Sequence, residues 1–426
     1  MALVLGIDIG TSGLRAATLD PGGTVRGSAG HSFADAERRD PLAWHAALRT
    51  VLDEIDLAGV GAIAVDATSG TLLGLDADGS AVAGPLMYDA RTDDGEAVAR
   101  NDALAPAASA ARGAGSGALK ALRLLAEPGV RRIAHQSDWI VAALTGRADL
   151  TDESNALKTG YDPLGREWPA WLEALGVDRA RLPAVRPVGA PLAPVSVETA
   201  RRYGLPAGAI VVGGLTDGCA SFLATGAARA GEGVTALGST LTLKLLSDRP
   251  VFDGASGVYS HRIGEAWLAG GASNTGGAVL AQHHGADEIA RLSGMIDPDE
   301  NAGEFHPLPR PGERFPVSDP ALAPAMPDPT LPPERHLHAL LEGIARVEAM
   351  GYRRLAELGA PVASRVLTVG GGARNAAWTA IRRRRLSAAL GTVTMGEAAS
   401  TDAAVGAARV ALAHLHGRPV IGGIAA

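Results

Sequence analysis

The segment Asp8-Ile9-Gly10-Thr11-Ser12-Gly13 puts a carboxylate, a glycine turn and two hydroxyls side by side. Glycines let the backbone turn tightly and approach a ligand, and the exposed N–H and hydroxyl groups offer uncharged donors to phosphate oxygens. A carboxylate before such a tip can orient the water shell of a metal ion. Alone, the segment also reads as a plain β-turn. A second tip, Gly238-Ser239-Thr240, lies between the apolar runs Val234 to Leu237 and Leu241 to Leu246. Two such donor loops are what clamping a polyphosphate needs.

Val211-Val212-Gly213-Gly214-Leu215-Thr216-Asp217 reads as an apolar strand and a glycine pair, followed by an acid that opens a helix of small residues. Asp217 is then expected at a strand's carboxyl end, where open α/β folds keep their chemistry. Near a helix N-terminus its carboxylate stays ionised and can accept a proton, although helix capping explains the same position. Leu367 to Val369 followed by Gly370-Gly371-Gly372-Ala373-Arg374-Asn375 is a strand, a bare-backbone turn and a helix start, suited to lie against a nucleotide. The glycines are contiguous and the dinucleotide fingerprint is absent; so is a GxxxxGK[ST] loop, which excludes a P-loop mechanism. Asp66-Ala67-Thr68-Ser69-Gly70 and Asp89-Ala90-Arg91 place polar groups at strand ends, suitable for a polyhydroxylated substrate or for solvated turns. His283-His284 reads as two adjacent helical side chains that point apart, not as a metal pair.

The elements that must position these residues alternate. Leu3 to Ile9 and Leu14 to Leu19 are of strand length, Ala118 to Ala126 and Ile133 to Leu144 have helical spacing, and His336 to Leu358 is the longest helix. Arg365 to Val369 is a predicted strand, and Ala376 to Leu390 and Asp402 to His416 are predicted helices, so the class is α/β. The proline-rich stretch His306 to Pro333 reads as a long packed loop because Phe315, Leu322 and Met326 punctuate it. The two glycine tips stand about half a chain apart, which suggests two large halves of related architecture with the ligand between them. With 426 residues and a net charge of −7, the chain can bury sizeable cores but has no global basic field for nucleic acid or an anionic membrane. Its single cysteine, Cys219, gives no sign of an oxidising compartment, and no run reads as a signal peptide or membrane span. The expected location is the cytoplasm.

Taken together, these segments resemble the FGGY carbohydrate kinases, part of the wider ATPase group that includes actin, hexokinase and the heat-shock chaperones. Asp8-Ile9-Gly10-Thr11, Gly213 to Asp217, Leu237 to Thr240 and Gly370 to Asn375 carry the likeness. Val65 to Thr71, Asn155 to Asp162, Gly257 to Arg262, Gly270 to Gly277 and Gly312 to Pro316 look like the D-ribulose kinase subgroup of cyanobacteria and chloroplasts.

The resemblance implies a two-domain, actin-like ATPase fold with a ribonuclease-H-like sheet in each lobe and ATP and sugar in the interdomain cleft. A sugar-binding N-terminal domain would span 1–229 and a nucleotide-binding C-terminal domain 230–426. Asp217 would take the proton of the sugar hydroxyl. Asp8 would face the transferred phosphate and its magnesium, and Asp8, Ser69, Gly70 and Asp217 would meet the sugar. ATP would touch Gly10, Thr11, Ser12, Arg15, Gly238, Ser239, Thr240, Gly371, Gly372 and Asn375. In the sugar segment of the family, an aromatic residue is displaced here: Met87 takes its place and Tyr88 directly precedes Asp89. The implied cofactors are ATP and Mg2+, the implied partner is a small sugar, and a homodimer is a possible assembly. D-ribulose is the expected substrate; D-xylulose, or nucleotide binding without catalysis, are the alternatives.

Overall fold

The computed structural model describes residues 2–421. The chain divides into two compact units. The first comprises 2–224, His261–Glu265 and 402–421; the second comprises Thr225–Ser260 and Ala266–Thr401. The last helix thus returns to the first unit, so a boundary at 229/230 follows chain order and not packing.

In the first unit, Leu3–Ile9 occupies the middle of a six-stranded sheet, antiparallel to Gly13–Leu19 and parallel to Val60–Ala67. That is why it is apolar nearly throughout: the sheet's order runs Val25–Ser32, Gly13–Leu19, Leu3–Ile9, Val60–Ala67, Ile210–Thr216 and Pro191–Pro194. Val25–Ser32 alternates exposed and half-buried positions. The helix Ala403–Leu415 covers the centre, and no Cβ would fit at Gly6, whose ideal position lies 1.9 Å from the carbonyl oxygen of Ala404. Asp40 caps the helix Pro41–Asp53, with proline at its first position, as helix starts favour.

The second unit repeats the order. Its central strands run Ala266–Ser273, Leu241–Ser247, Glu232–Leu237, Arg365–Val369 and Thr394–Glu397, the first three antiparallel and the last three parallel. In both units, therefore, an antiparallel three-strand meander is extended by parallel strands. The long helix Pro333–Glu357 buries Leu337, Leu340, Leu341, Ile344 and Val347 against this sheet. Glu348 receives both arms of the Arg382 guanidinium at 2.6 and 2.7 Å and the Thr235 hydroxyl at 2.6 Å, so this buried ion pair is hydrogen-bonded to the central strand. Phe315 is fully buried in the stretch expected to be a packed loop.

Two local expectations are corrected. Arg132–His135 is a strand paired with Leu72–Leu75, and the helix starts only at Gln136. A short apolar run fits either element by spacing, and here the open edge of a neighbouring strand captures it. His283 and His284 do not point apart: their rings lie 5.1 and 5.3 Å from that of His336, because the helix ends at His283 and the next residue is extended.

Candidate functional site

Three parallel strands of the first unit, Leu3–Ile9, Val60–Ala67 and Ile210–Thr216, each carry an acid within one residue of their carboxyl ends. Asp8 and Asp66 are paired in register, Leu215 pairs with Asp66, and Asp217 opens the helix Asp217–Ala224 directly after the third strand. Asp402, which caps the helix Ala403–Leu415, adds its negative field to Asp8 and Asp66. Burial pushes the Asp8 carboxyl up to about 6, opposed by the neighbouring Asp66 side chain and by Arg15. Asp66 is fully buried and raised well above the usual carboxylate range, first by burial and then by Asp8. Among the described residues, neither Asp66 oxygen has a hydrogen-bond partner. With Asp8 and Asp66 side by side in register, burial and the negative charge of Asp8 both favour the neutral form of Asp66.

The Asp217 carboxylate accepts the Gly218 N–H at 2.6 Å. Its strand end is held from the side by Asn155, whose amide donates to the Leu215 carbonyl at 2.9 Å, and by Ser154, whose hydroxyl accepts the Thr216 N–H at 3.2 Å. Asn155 is in turn fixed by Asp152, which accepts its amide at 2.8 Å. The first glycine tip is closed by the Gly10 N–H to the Gly13 carbonyl at 2.9 Å, leaving Thr11 half-buried and Ser12 exposed. Arg15 stands opposite Asp8 across the hairpin, its guanidinium 3.4 Å away. Ser69 and Gly70 lie just past the strand that carries Asp66. The Ser69 hydroxyl is buried without a partner, and Gly70 has φ +83°, where glycine is favoured.

In the second unit a cavity of about 800 Å³ is lined by Gly238, Ser239, Gly371, Gly372, Asn375 and Trp378, among others. The exposed tip Gly238-Ser239-Thr240 is buttressed from behind: the Gly277 N–H donates to the Gly238 carbonyl and the Ala278 N–H to that of Ser239, at 2.8 and 3.0 Å. Gly372 has no room for a side chain, with Trp378 and Leu237 within 3 Å of an added Cβ. Asn375 caps the helix Ala376–Leu390 through its side-chain oxygen and donates its amide to Ser293 at 2.8 Å, so its side chain shapes the wall of the cavity. The cavity is mostly apolar with a few polar groups in its lining, as a small-molecule site requires.

Each group of sequence-selected residues therefore assembles within its own unit: Asp8, Asp217, Ser69 and Gly70 in the first, the glycine tip and glycine run in the second. Sequence reasoning missed the placement of Asp66 beside Asp8, the contribution of Asp402 and the support from Asn155. Only Asp402 had a local signal, as a capping residue before an alanine-rich helix.

Residues 127–224 match the N-terminal domain, and residues 233–415 the C-terminal domain, of the FGGY family of carbohydrate kinases. The chain belongs to the FGGY family. Like other FGGY kinases it is a phosphotransferase with an alcohol acceptor, it uses ATP, and it has the two-domain actin-like ATPase fold. The fold likeness extends over the whole molecule. A xyloylose (xylulose) kinase from Brucella ovis superposes with a TM-score of 0.85 at 22% identity, covering 98% of this FGGY kinase and 92% of the other chain. A xylulose kinase from Rhodospirillum rubrum gives 0.81 at 23%, covering 96% and 89%. An ADP-bound glycerol kinase from Plasmodium falciparum gives 0.79 at 16%, covering 97% and 90%. Among the described residues of this FGGY kinase, no helix is long and apolar enough to cross a membrane.

Proposed function

We propose that this FGGY kinase transfers the γ-phosphoryl group of ATP to a ketopentose, converting D-ribulose to D-ribulose 5-phosphate. The observation that carries the reading is the placement of Asp217 at the head of a helix, on the same strand edge as the Asp8–Asp66 pair. In this reading the second unit holds adenosine through Gly371, Gly372 and Asn375 and meets the phosphates with Gly238 to Thr240, while Gly10, Thr11, Ser12 and Arg15 of the first unit also face the phosphates. The first unit holds the acceptor between the Ser69-Gly70 turn and Asp217. Asp217 takes the proton of the acceptor hydroxyl while that oxygen bonds to the γ-phosphorus and the bond to the ADP oxygen breaks. Phosphoryl transfer asks for little else from a protein beyond positioning and charge stabilisation.

Magnesium fits this strand edge. Asp8 and Asp66 form a buried acidic pair with no hydrogen-bond partner on Asp66 among the described residues, a situation that a cation beside Asp8 would relieve. Magnesium keeps several waters and needs only one or two carboxylates besides phosphate oxygens. When bound, it neutralises charge on the transferred phosphoryl group. Asp8 would hold it, and Asp66 stands beside Asp8.

The choice of D-ribulose rests on the segments similar to the ribulose kinase subgroup, of which Val65 to Thr71 and Asn155 to Asp162 contribute Ser69, Gly70 and Asn155. D-xylulose is the second reading, favoured by the xylulose kinases among the structural neighbours. A coupled ADP-release assay across D-ribulose, D-xylulose, L-ribulose, ribitol, glycerol and gluconate, corrected for sugar-independent hydrolysis, tests both. D-ribulose is expected to give the highest kcat/KM, with D-xylulose at least tenfold lower, because a misdirected hydroxyl leaves buried polar groups unpaired. A better rate with D-xylulose or a polyol overturns the ribulose reading. No stimulation by any sugar leaves a nucleotide binder without catalysis.

A further inference from the structure

Lys120 is almost fully buried, and the bonds its ammonium makes among the described residues go to backbone oxygens, not to a carboxylate. Its ammonium donates to three backbone carbonyls: Gly70 at 2.9 Å, Met87 at 2.7 Å and Tyr88 at 3.1 Å. An ammonium has three donors, and here all three are used. The carbonyls belong to two separate segments. Leu72–Leu75 and Ala81–Leu86 form a hairpin in which Leu72 pairs with Leu86, and beyond that pair the two chains splay apart. One branch is the Ser69-Gly70 turn, and the other is the step from Met87 and Tyr88 into Asp89 and Arg91. Lys120 sits in the fork.

The lysine itself is brought there by a rigid helix. Ser116 caps Gly117–Leu125, and at Gly117 an added Cβ would come within 2.6 Å of the Lys158 carbonyl oxygen, so only glycine allows this docking. The residue type also carries information. The chain has three lysines among 39 basic residues, and two of them, Lys120 and Lys158, lie beside this turn. Arginine is used almost everywhere else. A compact ammonium converges on three carbonyls, whereas a planar guanidinium spreads its donors in a fork.

We propose that Lys120 is a positioning residue for the sugar: by bonding Gly70, Met87 and Tyr88 together, it fixes the Ser69-Gly70 turn, which meets the acceptor in the proposed reading, against the neighbouring Met87-Tyr88-Asp89 segment. This rests on the proposed sugar-kinase reading. Burial and the neighbouring Lys158 bring the ammonium down to about 8, against the opposing charge of Asp89. The neutral amine keeps only two N–H donors and turns a lone pair toward the third carbonyl, so alkaline pH opens the fork from inside.

The test uses Lys120→Met, which keeps the stem but has no donors, and Lys120→Arg, which stays charged at every accessible pH. Hydrogen exchange needs no substrate. In Lys120→Met the amides of 68–71 and 87–91 are expected to exchange at least tenfold faster, with the second unit unchanged. In kinetics, KM for the accepted sugar is expected to rise at least tenfold while KM for ATP stays within twofold. In the unsubstituted enzyme, KM for the sugar is expected to climb between pH 7.5 and 9.5, and Lys120→Arg is expected to remove that climb. If Lys120→Met does not fold, the pH comparison with Lys120→Arg decides. Unchanged exchange in both segments, or an equal pH profile in Lys120→Arg, overturns the proposal. If no sugar is phosphorylated at all, the kinase reading falls, and the exchange experiment still judges the fork.

Discussion

Asn155 donates its side-chain amide to the carbonyl of Leu215 at 2.9 Å, two residues before Asp217, from a position 60 residues earlier in the chain. Both groups are buried, so the bond fixes where the third parallel strand stops and where Asp217 begins its helix. Asn155→Ala is expected to lower kcat about tenfold or more with KM for ATP unchanged, because the proposed adenosine contacts Gly371, Gly372 and Asn375 lie in the other unit and Asn155 bonds the strand that leads to Asp217. Steady-state kinetics with both substrates varied checks this. A rise in KM for ATP with normal kcat would separate Asn155 from Asp217.

Asp217→Asn is expected to fold and bind ADP normally but lose about 10²–10⁴ in turnover, the usual share of a positioned general base. The side chain keeps its size, and the amide oxygen still accepts from Gly218. Near-normal turnover would remove Asp217 from the proton transfer.

Gly372→Ala forces a Cβ to within 3 Å of Leu237 and Trp378, two residues in the wall of the cavity proposed to hold the nucleotide. Moving them is expected to weaken ADP binding about tenfold, or about 1.4 kcal/mol, with the thermal midpoint little changed. Titration calorimetry with ADP reads the effect directly. Equal affinity would mean that the wall gives way without reaching the ligand.

Gly406→Ala tests the packing beneath the acids. An added Cβ would fall 1.8 Å from the Ala220 carbonyl oxygen, in the helix that Asp217 opens. Backbone cannot rotate aside as a side chain can, so the two helices must separate. The expected loss is at least about 1–3 kcal/mol, seen as a lower thermal midpoint together with reduced turnover.

Glu153 sets an expected pH dependence of stability. It is 2% exposed, and burial pushes its carboxyl from 4.5 up to about 7 against the pull of Arg166. The folded protein thus holds this proton more tightly than the unfolded chain does. The stability it contributes is complete below about pH 4.5 and is lost as pH rises through 7. Glu153→Gln keeps the shape without the charge, so the gap in thermal midpoint between variant and parent should open from pH 4.5 to 7 and stay constant above. Roughly 3 kcal/mol is its upper bound. A gap of the same size at pH 4 and pH 8 would assign the effect to packing.

Local chemistry was enough to nominate most of the candidate site. The tips at Gly10 and Gly238, the glycine run at Gly370 and the acid at Asp217 were all legible, because a tight turn, a strand end and a helix start each demand particular residue types within a few positions. Helices such as Ala376–Leu390 could likewise be bounded from their capping residues and spacing. What adjacency in sequence could not supply was register between distant strands. Asp66 reads as one more polar turn residue until parallel pairing sets it beside Asp8, where burial and the neighbouring charge raise its carboxyl well above the usual range. The run from Ile133 reads as the start of a helix until Leu72–Leu75 offers it an unpaired edge. Lys120 is an ordinary helical lysine by spacing, and only the fork of a hairpin closes three carbonyls around it. Backbone hydrogen bonds and buried charges find their partners through the fold, so these roles were decided by tertiary structure alone.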